Sequence, residues 1–217
     1  MAQPGDVIEH PSFGARMTFL ETSRQTNGDL LRVEVVLPPG FSIAEHIHPR
    51  QEERHDVLSG TLRACVGGQE RDYKSGERVV GPPGVPHAWR NPSDRENLRI
   101  VSEHRPALRM EELLEGGFTI ARDLQADKKG TLKHLFRMAV LLDDVKDDFY
   151  MTQAPAQMLL RLFAALAPVG RLLGYEPLQS TGQRGAAPKV ARGITVGSTL
   201  LLLALCILWW RKGSQVR

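Results

Sequence analysis

Between Gly40 and Asn91 two short motifs place three histidines and one glutamate at spacings that could gather them around a single metal ion. The first runs Gly40, five residues, His46-Ile47-His48, four residues, Glu53, six residues, Gly60. The second runs Gly76, five residues, Pro82-Pro83-Gly84, two residues, His87, three residues, Asn91. Strand side chains alternate between faces with a period of two. His46 and His48 therefore share one face, and Ile47 takes the other. Glu53 begins the strand-like run 53–58 and meets the histidines across a turn at Pro49-Arg50-Gln51. His87 follows a second turn, Pro82-Pro83-Gly84, with Pro86 fixing its approach. Proline suits the first corner of such a turn, and glycine tolerates the positive φ of the second. Glu52 competes with Glu53, because only one of two adjacent strand residues faces inward. Three imidazoles and a carboxylate make a nitrogen- and oxygen-rich donor set that suits divalent iron, manganese, nickel or zinc. The other reading leaves the histidines as buried, hydrogen-bonded core residues.

His55 lies two positions after Glu53 and shares its face. It is either a group behind the ligands, a substrate-facing acid or base with an ordinary pKa near neutrality, or a satisfied interior histidine. Trp89, two positions beyond His87, lines the same cavity as a substrate wall or as barrel filling. Asn91 is expected to satisfy backbone groups at a strand end, while His10, His104 and His134 stand alone as surface or packing residues.

The elements that must hold these side chains read as short strands up to residue 104. Alternating or β-branched runs cover 15–22, 30–37, 42–48, 54–58, 61–66, 69–73, 78–80 and 98–103. Asn27-Gly28, Pro38-Pro39-Gly40, Gly67-Gly68 and Ser75-Gly76 separate them, and Gly67-Gly68 has the form of a two-residue hairpin loop. Many short strands at near-regular spacing predict a mainly β protein, an antiparallel sandwich or barrel of the jelly-roll class. Beyond Pro106 the apolar period becomes helical: Met110, Leu113, Leu114 and Phe118, then Leu132, Leu135, Phe136, Ala139, Leu142 and Val145. A third apolar run, 157–175, contains Arg161, Pro168 and Arg171 and is expected to cover the barrel, pack on the other helices or lie at a bilayer surface.

Both motifs match those of the cupin family without a gap, and residues from about 28 to 104 resemble single-domain cupins with an RmlC-like jelly roll. That resemblance implies that His46, His48, Glu53 and His87 are the ligands of one divalent metal ion, selecting Glu53 over Glu52. Water or substrate would fill the remaining coordination positions, and Glu53 could accept a substrate proton. The family includes dioxygenases, oxalate-cleaving enzymes, sugar isomerases and epimerases, storage proteins and ligand-sensing regulators, so membership does not name the reaction. The expected activity is a dioxygenase-like oxidoreductase or isomerase acting on a small molecule, with a non-catalytic binding or sensing module as the alternative. The segment from His48 to Arg54 also looks like that of bacterial cupins with a helical extension.

The 217 residues read as a β-barrel over 1–106, a helical extension over 107–176, a basic flexible linker over 177–192, a transmembrane helix over 193–210 and a short basic tail over 211–217. The run 193–210 is uncharged, is bounded by Arg192 and by Arg211-Lys212, and ends in Trp209-Trp210, as a span with interfacial aromatic residues would. The net charge of +3 conceals an asymmetry: no acidic residue follows Glu176, whereas six basic ones do. Setting those six aside from the 28 Lys and Arg leaves 22 against 25 acidic residues, so the body is mildly acidic. Nothing on it forms the basic footprint of a nucleic-acid binder. Cys65 and Cys206 form neither a disulfide framework nor a C-x-x-C metal motif. The first residues lack a basic start and apolar core, so the barrel is expected on the cytoplasmic side of the membrane. The partners expected are a small-molecule ligand or substrate, the bilayer and, in a homodimer, a second copy.

Overall fold

Leu31, Val33, Val35 and Leu37 alternate with Arg32, Glu34 and Val36, and this run forms β3 (Leu31–Leu37) with its first set buried and its second half-exposed. The computed structural model of the protein describes residues 1–127 and 130–178. Within them the same alternation builds two antiparallel sheets. The first has six strands in the order β1 (Val7–Glu9), β2 (Arg16–Glu21), β3, β10 (Leu98–Arg105), β5 (Glu52–Ser59) and β8 (Arg78–Gly81). The second has five: β11 (Tyr150–Met151), β4 (Ser42–Ile47), β9 (His87–Arg90), β6 (Thr61–Val66) and β7 (Gln69–Lys74). Phe19, Val33, Val57 and Ile100 of the first sheet and Leu62, Ala64 and Trp89 of the second share one buried cluster, so the core lies where the two sheets face each other. Val66 pairs with Gln69, leaving Gly67 and Gly68 as a two-residue loop with both φ positive, the geometry that matches strand twist.

Three strands are absent from the expected runs. β1, β9 and β11 have three, four and two residues, and each pairs with a neighbouring strand that offers hydrogen bonds. The helices follow as α1 (Met110–Ala126), α2 (Thr131–Asp144), α3 (Ala154–Ala164) and α4 (Ala167–Leu172). The run 157–175 is thus two helices. Pro168 lies in the first turn of α4, where its missing N–H costs nothing, whereas inside a continuous helix it would break the bond ladder. Met110 belongs to the barrel core, and Leu113, Leu114 and Phe118 pack against it. α4 seats Gly170 against α2, with Val140 Cγ2 only 3.0 Å from where a Cβ would stand. Met158, Leu162, Val169 and Leu172 of α3 and α4 remain exposed. The run 193–210, read as a membrane span, lies outside the described residues, as do the basic tail and the linker beyond residue 178. Among the described residues no helix is long and apolar enough to cross a membrane.

Gly60 joins β5 to β6 with φ +84°, and a Cβ there would stand 3.0 Å from Asn97 O and 3.1 Å from Leu98 Cα. Gly76 has a nearly identical φ of +85° but open space around it. Gly76→Ala is expected to cost about 1 kcal/mol for its left-handed backbone, and Gly60→Ala about 1 kcal/mol more because rigid backbone must also move. Urea denaturation of both variants measures the difference, and equal losses would show that the Gly60 contact relaxes freely.

Candidate metal centre

The four motif residues arrive from both sheets. His46 in β4 stands directly opposite His87 in β9, while Glu53 belongs to β5 of the other sheet and His48 follows the end of β4. Glu53 is buried and Glu52 is not, as β5 alternation requires of neighbours. One donor atom from each of His46, His48, Glu53 and His87 lies within 4.8 Å of the other three. The residues are 6 %, 2 %, 6 % and 0 % exposed, respectively, so water is nearly excluded.

Each of the three imidazoles has its Nδ1 engaged with a backbone carbonyl: His46 with Ala44 O at 2.9 Å, His48 with Asp148 O at 3.1 Å and His87 with Val85 O at 2.8 Å. A carbonyl can only accept, so Nδ1 carries a proton in each ring and Nε2 is the nitrogen left for an ion. His87 Nε2 is buried without a hydrogen bond, although Glu53 Oε2 lies 3.2 Å away. Fixing Nδ1–H on a carbonyl is how proteins orient metal-ligating histidines. The donor chemistry and the unsatisfied Nε2 therefore fit a divalent ion. Gly81 allows this packing, since a Cβ at that position would stand 2.9 Å from His87 Nδ1.

Glu53 is the hub. Its Oε2 accepts the Trp89 indole N–H at 2.6 Å and lies 3.7 Å from His46 Nε2; its Oε1 lies 3.6 Å from His55 Nε2 and 3.9 Å from His104 Nε2. Burial alone would raise the carboxyl's pKa, but the imidazoles of His55, His46, His87 and His104 outweigh burial and hold it well below the ordinary range. Burial pushes His48 down to about 4, His104 down to about 3 and His55 below its usual value. Burial acts on His46 too, but the bond to Glu53 outweighs it and raises that ring. At neutral pH the centre thus combines an ionised carboxylate with neutral rings at His48, His55 and His104.

His55 and Trp89 lie where β-alternation put them, inside and beside Glu53, with their rings edge to face at 4.5 Å. Asn91 is buried, and its Nδ2 group donates toward Leu37 O, Pro38 O and Glu96 O, satisfying strand-end carbonyls as expected. His104 requires a correction: it is no isolated packing residue. It faces Glu53 directly across the β10–β5 pairing and lies 3.2 Å from Ser102 Oγ. Period-two counting along 98–105 could have placed Ser102 and His104 on one face, but only the strand order brings that face to Glu53. Asp148 was missed too, and no local signal marks it. His10, stacked on Phe13, and His134, buried on α2, stay apart from the centre.

The family model described as Cupin domain matches residues 33–102. No curated protein matches the chain. Among solved structures, an RmlC-like cupin from Shewanella frigidimarina is 23 % identical, with 46 % of this chain and 83 % of that one covered at a TM-score of 0.40. A predicted oxalate decarboxylase from Thermotoga maritima is 20 % identical, with 48 % and 92 % covered at 0.42. An uncharacterized conserved protein with a double-stranded β-helix domain from Klebsiella pneumoniae is 28 % identical, with 46 % and 84 % covered at 0.38. The match to the cupin domain spans all four converging donors.

Proposed function

We propose that this chain is a metal-binding cupin whose interior site, His46, His48, Glu53 and His87, acts on a small molecule, as a dioxygenase-like oxidoreductase or an isomerase. The observation that carries the reading is the convergence of one donor atom from each of the three histidines and Glu53 within 4.8 Å, with every Nδ1 tied to a backbone carbonyl. A divalent ion bound there supplies a Lewis acid that lowers the pKa of a coordinated water or hydroxyl. Glu53 is the carboxylate among the four donors and the group that would accept a substrate proton. Trp89 N–H steadies Glu53 Oε2, and the neutral rings of His55 and His104 face Oε1. These two rings and the Trp89 face are the walls a substrate would meet.

The near-complete burial of the four donors favours a second reading, a non-catalytic module that retains or senses a ligand. For either reading we propose a membrane tether at residues 193–210.

Elemental analysis of purified wild type should find a divalent metal that His46→Ala largely lacks; equal metal in both would remove the basis of the site. Dioxygen consumption with a catechol and flavonoid panel then separates the readings, because tight ligand retention without turnover supports the sensor.

A pH dependence follows for the metal-free protein. Burial lowers His48 to about 4 and His104 to about 3 in the folded chain, against 6.5 as reference. Between pH 6.5 and those values the unfolded chain takes up protons that the folded chain refuses, so stability falls as the pH is lowered. Glu53, with its lowered carboxyl, adds to the loss at the acid end; His46, with its raised ring, acts in the opposite direction, losing its contribution as pH rises. The urea midpoint should therefore fall from pH 6.5 toward 4, and His104→Gln should flatten that fall; an unchanged slope would remove His104 from the account. For the tether, deletion of residues 193–217 should move the protein from the membrane fraction to the soluble one, and retention on the membrane would leave α3 and α4 as the attachment.

A further inference from the structure

The three orienting carbonyls differ in origin. Those of Ala44 and Val85 stand two residues before the rings they hold, so β4 and β9 supply them locally. The carbonyl on His48 belongs to Asp148, 100 positions along the chain and beyond α2. From there residues 148–152 run as a strap along β4. Tyr150 and Met151 pair with Ile47 and His46, and Thr152 bonds Glu45 through both its N–H and its hydroxyl.

The strap's first residue is tied from two sides. Asp148 Oδ1 accepts from Arg50 at 2.7 Å, and Oδ2 accepts the backbone N–H of Arg109 at 3.3 Å. The Arg109 guanidinium in turn donates to Asp144 O at the end of α2 and to Glu112 on α1. The place of the Asp148 carbonyl is therefore set by the helical part of the chain, together with the turn that carries His48.

We infer that Asp148 is a positioning residue of the metal centre: the helical extension supplies the carbonyl that fixes the tautomer and ring orientation of His48, and so sets the affinity of the site for a divalent ion. This rests on the metal reading above. Without that carbonyl, Nδ1 of a ring only 2 % exposed would lose its acceptor. The ring could then carry its proton on Nε2, the nitrogen the ion needs.

The test uses the full-length chain and zinc, with affinity measured by chelator competition and the His48 tautomer read in metal-free protein by side-chain nitrogen NMR. Asp148→Ala keeps the backbone carbonyl but removes the side-chain ties to Arg50 and Arg109 that place it, and should weaken zinc about 10-fold and turn His48 from Nδ1–H alone to a mixture of tautomers. Asp148→Asn keeps an oxygen acceptor for Arg50 and should recover most of both. Zinc affinity within about twofold of wild type in Asp148→Ala, with the tautomer unchanged, would overturn the inference, since a supporting shell normally contributes more than that. Should Asp148→Ala fail to melt cooperatively, Arg50→Ala takes its place, because Arg50 is exposed and its ion pair is to the strap's Asp148. An unchanged affinity and tautomer there would overturn the inference equally. Wild type that binds no divalent ion defeats the metal reading, whereas the tautomer alone decides whether Asp148 orients His48.

Discussion

An ionised carboxylate taken out of water costs several kcal/mol unless donors and dipoles replace its hydration, and Glu53 is only 6 % exposed. Its two oxygens meet an indole N–H and imidazoles carried by β4, β5, β9 and β10. Those strands belong to both sheets, so Glu53 can be accommodated only when the sheets face each other in the correct register. A slip of one residue in β5 would turn Glu53 outward and bring Glu52 in, since the side-chain period is two. The two-sheet fold and the charge at its centre therefore depend on the same alternation.

The strand β10 shows how closely that alternation is enforced. His104 points inward to Glu53, while its neighbour Glu103 points outward and is buried among Arg32, Arg54 and Arg105. Each face of one strand thus holds a buried carboxylate system, one built from imidazoles and the other from guanidiniums. Guanidiniums have donors and no acceptor, whereas neutral imidazoles offer lone pairs. Only the inward face has the chemistry of a metal site.

The helices do more than cover apolar surface. α1 adds Met110 to the barrel core, α2 ends at Asp144 shortly before the strap, and the strap adds a two-residue strand beside the histidine-bearing β4. A barrel edge next to a buried site would otherwise present unpaired backbone groups to water. Covering that edge and orienting His48 are carried out by the same few residues, which ties the centre to the helical part of the chain.

Much of the site was legible in the chain itself. The spacing of His46, His48, Glu53 and His87, the sharing of a face by Glu53 and His55, and the turn glycines all depend on neighbours within a few residues, where backbone geometry alone dictates direction. The helical period from Met110 to Phe118 is legible for the same reason. What the tertiary structure decided is everything that depends on strand order: His104 opposite Glu53, the edge-to-face contact of Trp89 with His55, and the Asp148 carbonyl on His48. These contacts join residues up to 100 positions apart, and no local pattern encodes which strand lies next to which. Pairing energy is collected only after the chain has closed its loops, so it leaves no periodic trace in the sequence.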